Sequence, residues 1–353
     1  MAKHKPSSKN SSGGGISRRQ LLQATLGTAA AISAPTLGLA AAERRAHGGD
    51  GKSIRIGLIT DLHQDIMHDG PQRMAAFLDW AKSTRADAVM QLGDFAYPKA
   101  GNAAVIDPFN AAGGLHVIGN HDMDSGHTKE QCLEVWGMPG LYYAKDVAGV
   151  RVLVLDANEG GSPTHSGGYV KYIGVEQQKW LRQQLEEFDG PFLIASHQPL
   201  AGPQSIDNTD EIQSLLGEFA SKIWICINGH SHLDMLLRVK GVSYLHINSA
   251  SYQWVGGNHK HSSYEKEIHA GHKWIQYTCP YRQPVYTAIN LNLEDGSVTV
   301  DGCHGEWVGP SPAALGADSD DSIHHGEEIV PFIRNRKLER PLGTAPWLAK
   351  SES

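Results

Sequence analysis

The chain has 353 residues, 40% hydrophobic and 20% charged, with a formal net charge of −7. Those proportions exclude a low-complexity or fibrous polymer and suit a globular body long enough to bury a core without disulfide staples. None of its four cysteines (Cys132, Cys226, Cys279, Cys303) forms a CxxC pair, which leaves a zinc ribbon or thioredoxin-like motif unsupported, while a Cys279–Cys303 disulfide stays open in an oxidising compartment.

Residues 1–42 read as an address. A polar opening with Lys3, Lys5 and Lys9 leads to Ser17-Arg18-Arg19-Gln20-Leu21-Leu22, a weakly apolar stretch from Ala24 to Leu39, and Ala40-Ala41-Ala42. A charged start, apolar middle and small-residue end describe a secretory signal, and the paired arginines resemble the twin-arginine type. The expectation is recognition by the export machinery, cleavage near Ala42 and a periplasmic or extracellular location. Pro35 and the Ala/Thr/Gly-rich composition disfavour a stable membrane span, with an uncleaved anchor as the alternative. Residues 1–42 hold five Lys/Arg and no Asp/Glu, so the remaining chain stands at −12. That acidity argues against a nucleic-acid polymer or an anionic membrane as partner.

Five short apolar runs then read as buried strands, each ending in a polar cluster. Ile54–Ile59 runs into Asp61-Leu62-His63, Ala88–Leu92 into Gly93-Asp94, and Leu115–Ile118 into Gly119-Asn120-His121-Asp122. Phe192–Ala195 leads to Ser196-His197, and Ile223–Ile227 to Gly229-His230-Ser231-His232. Helical periodicity covers Pro71–Lys82, Val175–Phe188 and Ile212–Phe219. Hairpins are expected around Ala148-Gly149, Lys240-Gly241 and Asp295-Gly296. Residues 252–284 are polar, aromatic and histidine-rich without clear periodicity, and read as a functional rim or lid. From Gly309 onward the chain reads as a loosely ordered tail. Alternating strands and helices imply an α/β fold with at least part of the sheet parallel.

In open α/β sheets, ligands bind at the carboxyl ends of strands. Five strand ends would bring Asp61, His63, Asp94, Asn120, His197, His230 and His232 to one edge. Imidazoles and carboxylates suit Zn, Fe, Mn, Ni or Co, and the lack of thiolates argues against a soft structural site. Alone, either aspartate is more often a turn residue or helix cap, and His197 an ordinary loop histidine. The order and spacing of the set give it weight. His68, His116, His127 and His165 carry no catalytic expectation, and His259, His261, His269 and His272 are candidates for the rim only.

Asp61-x-His63, Gly93-Asp94, Gly119-Asn120-His121-Asp122, His197 and Gly229-His230-x-His232, in that order, resemble the calcineurin-like metallophosphoesterase superfamily. The resemblance implies two facing mixed β-sheets flanked by helices, an α/β/β/α sandwich. It implies two divalent or mixed-valence transition-metal ions. Asp61, His63 and His232 would bind the first, Asn120, His197 and His230 the second, and Asp94 would bridge them. His121 would be the non-ligand histidine beside the phosphate, oriented by Asp122. The reaction implied is hydrolysis of a phosphate monoester or diester by a metal-bridging hydroxide, with His121 assisting the leaving group.

Gly93-Asp94-Phe95-Ala96-Tyr97 also matches the motif in which purple acid phosphatases place a tyrosine on ferric iron. Those enzymes lack a histidine at the position of His63, so Tyr97 is expected behind the ligands or in a structural role. The expected organisation is a signal at 1–42, a phosphoesterase domain at 53–302 and a partly disordered extension at 303–353. The substrate would be a small phosphate ester, with a cyclic nucleotide or other diester as the main alternative. A non-catalytic metal-binding scaffold is the competing class.

Overall fold

A computed structural model describes residues 53–338 apart from His325; the expected export signal at 1–42 lies outside the described residues. In chain order the strands are β1 Ser53–Ile59, β2 Ala88–Gln91, β3 Leu115–His116, β4 Tyr143–Val147, β5 Val150–Val154, β6 Phe192–Ser196, β7 Ile223–Asn228 and β8 Met235–Val239. They continue as β9 Val242–His246, β10 Tyr252–Trp254, β11 Thr278–Pro280, β12 Thr287–Asn292, β13 Val298–Val300, β14 Cys303–His304, β15 Phe332–Ile333 and β16 Arg336–Leu338. The α-helices are α1 Gly70–Ser83, α2 Ala103–Ala111, α3 Lys129–Trp136, α4 Val175–Glu187, α5 Thr209–Glu218 and α6 Lys266–Gly271.

Two six-stranded mixed sheets carry the fold, ordered β16-β13-β12-β1-β2-β3 and β4-β5-β6-β7-β9-β8. The centre of each is parallel: β1-β2-β3 in one and β5-β6-β7-β9 in the other, with antiparallel edges. Strand alternation explains the layering, because successive side chains point to opposite faces. Ile54, Ile56 and Leu58 of β1 meet Leu193 and Ala195 of β6 and Ile225 and Ile227 of β7 between the sheets. Phe192 and Ile194, one residue out of step, face Leu181, Leu185, Ile212 and Leu216 of α4 and α5. On the far side, Ile59 and Val89 pack against Met74, Phe77, Phe109 and Trp136 of α1 to α3. The result is the four-layer arrangement implied by the resemblance, with β1, β2, β3, β6 and β7 at its centre.

The expected hairpins form. Ala148 and Gly149 have φ of 46° and 97°, and Lys240 and Gly241 have 49° and 82°. Positive φ at both central residues is what a tight turn between twisted antiparallel strands requires.

Three regions differ from the sequence reading. The sequence pattern predicts none of α2, α3 and α6: Pro108 interrupts the pattern of α2, the signal for α3 is the capping box Thr128-x-x-Gln131 with Gly137 closing it in the left-handed region, and the short α6 lies in the aperiodic 252–284 segment. The segment read as a loose tail contributes β15 and β16, and β16 pairs with β13 as the edge of a main sheet. Its local sequence is polar, so its order comes from distant partners. Finally, Cys279 and Cys303 do not pair; all four cysteines are free thiols.

Candidate metal centre

The loops after β1, β2 and β7 converge because backbone and side chain cross-link them. Asp61 N–H donates to Gly93 O at 3.0 Å and His63 N–H to Asp94 O at 2.9 Å, so the first two loops run side by side. His230 N–H donates to both oxygens of Asp61, at 3.2 and 3.0 Å. The backbone bends sharply to do this. Asp61, His63, Asp94, His230 and His232 all have φ between 48° and 66°. Non-glycine residues seldom occupy this left-handed region, and such strain persists only where surrounding contacts over-determine it.

Two glycines allow the closeness. A Cβ on Gly119 would lie 2.2 Å from the Asp94 backbone nitrogen and from its Oδ1. A Cβ on Gly229 would lie 2.4 Å from Asp61 Oδ2 and 2.0 Å from Thr60 Oγ1.

The result is two adjacent groups of metal-ligand atoms: Asp61, His63 and His232, and Asp94, His197 and His230. In the first, His232 Nε2 lies 3.2 Å from Asp61 Oδ1, His63 Nε2 3.8 Å from it, and the two imidazole nitrogens are 3.3 Å apart. In the second, His197 Nε2 lies 3.2 Å from both Asp94 Oδ2 and His230 Nδ1. Bonds of ~2.1 Å in a tetrahedral arrangement separate neighbouring ligand atoms by ~3.4 Å, so these spacings fit an ion at the centre of each group. Asp94 Oδ2 is also 3.7 Å from His63 Nε2, which puts one carboxylate within reach of both groups.

The surroundings prepare the ligands. His232 donates from Nδ1 to Tyr252 O at 2.7 Å, and His197 from Nδ1 to Leu92 O at 2.8 Å, leaving both Nε2 lone pairs for the cluster. Thr60 Oγ1 donates to Asp61 Oδ2 at 2.6 Å. Burial pushes His63 and His230 down to about 3, so both imidazoles are neutral and can coordinate. Burial opposes charge on Asp61 and His197 too, but their partners outweigh it. His232 and His197 hold Asp61 at about 2, while Asp94 and Asp61 lift His197 to about 9. Asp94 lies well below the usual carboxylate range, against its own burial, because of His197 and His121. The two carboxylates thus draw positive charge into the pocket.

Asn120 is buried, and both its side-chain nitrogen and oxygen lack a hydrogen-bond partner. An unsatisfied buried amide costs about 1–3 kcal/mol, so a carbonyl oxygen left free on this loop fits a ligand awaiting a cation. The residues present therefore fit two ions.

His121 sits beside the cluster, its ring 5.2 Å from that of His63 and its backbone N–H donating to Asp94 Oδ1 at 2.8 Å. Its side chain is 37% exposed, so the ring reaches the mouth of the pocket. The expectation that Asp122 orients it is wrong. Asp122 is buried, and its two oxygens accept from the backbone N–H groups of Asp94, Phe95, Ala96 and Gly119. That saturates the carboxylate and makes it the clamp between two ligand loops. The partner of His121 is Asp124, whose Oδ2 is 2.7 Å from Nδ1. A turn at Ser125, with φ of 58°, closes this segment. Tyr169, which the sequence reading missed, donates its hydroxyl to Asp124 at 2.8 Å and lies 3.4 Å from His121 Nδ1. Burial, Asp94 and Asp124 act on His121 in opposite senses, and the two charges win, raising it to about 9.

The Tyr97 phenol is hydrogen-bonded to Ser125, and partial burial raises it above its usual value, which keeps it neutral. The histidines of the 252–284 segment have structural partners: His259 pairs with Asp320, His269 accepts from the Ser263 and Tyr264 backbone, and His272 Nδ1 lies 3.2 Å from Ile66 O. The segment still borders the centre through Tyr252, whose ring lies 4.9 Å from His63 and 5.0 Å from His232.

Comparison with known proteins agrees with this geometry. The calcineurin-like phosphoesterase family model matches residues 54–234, just over half of the chain, a span holding every residue of the cluster. A dimetal phosphatase from Danio rerio superposes with a TM-score of 0.51 at 15% identity, over 72% of this chain and 98% of its own. GAP50, described as the anchor in the inner membrane complex of Plasmodium, gives 0.50 at 11% identity, over 78% of this chain and 96% of its own. No curated protein matches the sequence. At such low identity the two structures speak for the fold alone, and the sequence match carries the assignment: the chain belongs to the calcineurin-like phosphoesterase family.

Proposed function

We propose that this chain hydrolyses phosphate esters with two transition-metal ions held by Asp61, His63 and His232 and by Asn120, His197 and His230, with Asp94 shared between them. The observation that carries the reading is the pair of ligand groups joined through the Asp94 carboxylate, beside the unpartnered amide of Asn120. When bound, the ions supply Lewis-acid charge for the phosphoryl oxygens and acidify a water to act as nucleophile near neutral pH. Mn, Fe, Zn, Ni and Co all suit these ligands.

The protein's own groups do the rest. With both ions bound, Asn, and His ligands that have given up their protons to coordinate, would add no negative charge, which would leave the site net positive and attract a phosphate from solution despite the acidic body. His121, fixed through Nδ1 by Asp124, keeps Nε2 as the ring nitrogen that gives a proton to the departing oxygen, an effect of ~10²–10⁴-fold. We favour a monoester as substrate, because export suits phosphate scavenging; a diester such as a cyclic nucleotide is the alternative. We further propose that residues 1–42 export the protein to the periplasm or outside the cell, and that the catalytic domain starts at residue 53 and runs past the expected boundary at 302 to take in β16, which completes a main sheet. No helix among the described residues is long and apolar enough to cross a membrane.

The test is a substrate panel of aryl and alkyl monoesters, bis-esters and cyclic nucleotides, run with metal content measured on the same sample. Turnover that needs bound metal and falls with Asp94→Ala is expected. A second reading, a metal-binding scaffold, draws on the shared fold of the Plasmodium anchor protein. It predicts no turnover on any ester with Mn, Fe, Zn, Ni or Co bound.

A further inference from the structure

Asp234 lies two residues beyond His232, just before β8, and its side chain is fully buried, 0% exposed. Its carboxylate accepts from Arg336 Nη1 at 2.5 Å and Nη2 at 2.8 Å, from Arg334 Nη1 at 2.9 Å and from the Arg334 backbone N–H at 3.2 Å. Both guanidinium groups also reach the Asp234 carbonyl oxygen. Arg336 opens β16, the edge of one sheet, while β8 is the edge of the other. The clamp therefore ties the two sheet edges together immediately beside the His230–His232 loop.

A second tether leaves the same segment. Asn248 Nδ2 donates to Val330 O at 2.6 Å and Phe332 O at 3.2 Å, while its Oδ1 accepts from the Ser249 N–H. Ser249 Oγ in turn donates to Asp61 O at 2.9 Å. Residues 330–336 thus connect to the loops of both Asp61 and His232, two members of the first ligand group.

A buried ion triad is a weak source of stability compared with packed apolar side chains of similar volume. What it does supply is direction, because planar guanidinium forks admit the carboxylate in few orientations. The family match ends at residue 234, and the arginines follow about a hundred residues later, so the clamp is an addition to the family's matched region.

We infer that the C-terminal segment is a strap that positions the first metal site, with Arg334 and Arg336 acting through Asp234 and residues 330–332 through Asn248. The inference rests on reading Asp61, His63 and His232 as ligands of one ion. The test is competitive titration of Co²⁺ into metal-stripped full-length protein against a chromophoric chelator. The Arg334→Lys/Arg336→Lys double variant keeps the charges and loses the forks; Asn248→Ala cuts the other tether and covers the case in which the first variant misfolds. One of the two Co²⁺ affinities should weaken by about 10–100-fold, the usual scale for loss of an outer support. The other should stay within threefold and match the site remaining in His63→Ala, even where loss of buried partners lowers the metal-free unfolding midpoint. Two affinities within threefold of wild type would overturn the strap, as would equal weakening of both sites with a lowered midpoint. Wild-type protein binding fewer than two Co²⁺ would instead overturn the ligand reading, and the strap with it.

Discussion

Replacing Gly119 with alanine tests the site at its tightest point. The new Cβ would stand 2.2 Å from Asp94 N and Oδ1, while ordinary contact begins at 3.4 Å, so the Asp94 loop must retreat by about 1.2 Å. The Asp94 N–H is held by Asp122 Oδ2 at 3.0 Å and cannot yield freely, so the carboxylate takes much of the shift. Metal sites tolerate ligand displacements of only about 0.2 Å. A misplacement of ~1 Å in a reacting group costs ~10²-fold in rate. Overpacking adds about 1–3 kcal/mol of destabilisation, within reach of a folded variant. The assay is aryl-phosphate turnover at saturating metal, with bound metal measured and circular dichroism confirming the fold. Expected are a loss of at least ~10² in kcat and of metal from one or both groups. Gly101→Ala, whose nearest neighbour is a Lys99 side-chain carbon at 3.9 Å, serves as control and should be silent. Full metal and a rate within threefold of wild type for Gly119→Ala would refute the claim that Asp94 must sit where it does.

Asp122→Asn and Asp124→Asn should separate by phenotype: the first places amide hydrogens against backbone donors and lowers the unfolding free energy by about 2–4 kcal/mol, while the second leaves stability near wild type and slows alkyl esters more than nitrophenyl esters. Equal leaving-group losses for Asp124→Asn would contradict its role in holding His121. Burial pushes His116 down to about 3 and His246 to about 4. The unfolded chain takes up these protons near pH 6.5 and the folded one only at its lowered values, so stability present above pH 6.5 is lost as pH falls. Each histidine should remove about 2–3 kcal/mol between pH 7 and pH 4.5, read as urea midpoints, and His116→Phe should flatten that slope; an unchanged slope would sink the assignment. Lysine at both Arg18 and Arg19 should leave precursor in the cytoplasm, and normal export of that variant, followed by cell fractionation, would discard the twin-arginine reading.

Much of the centre is legible in the linear chain because buried parallel strands leave a strong mark. Ile54–Ile59, Ala88–Gln91, Phe192–Ser196 and Ile223–Asn228 are short, apolar and β-branched, and the residue types that follow them, taken as a set, suit metal ligation. The same logic fails for α2, where Pro108 breaks the periodicity, and for β16, whose Arg336-Lys337-Leu338 shows no alternation that marks a strand. Order in those pieces comes from packing on remote partners, which local pattern does not encode.

Residue identity and spacing by themselves determined that Asp61, His63, Asp94, Asn120, His197, His230 and His232 could meet. Only the tertiary structure decided that Thr60, Tyr252 and Leu92 hold the ligands from behind, that Asp124 and not Asp122 holds His121, and that Asp234 is gripped from a hundred residues away. The physical reason is common to all three. A carboxylate one or three residues along the chain looks the same in sequence, but its partner is chosen by the backbone's direction, and here left-handed turns at Asp61, Asp94 and Ser125 set that direction against local preference.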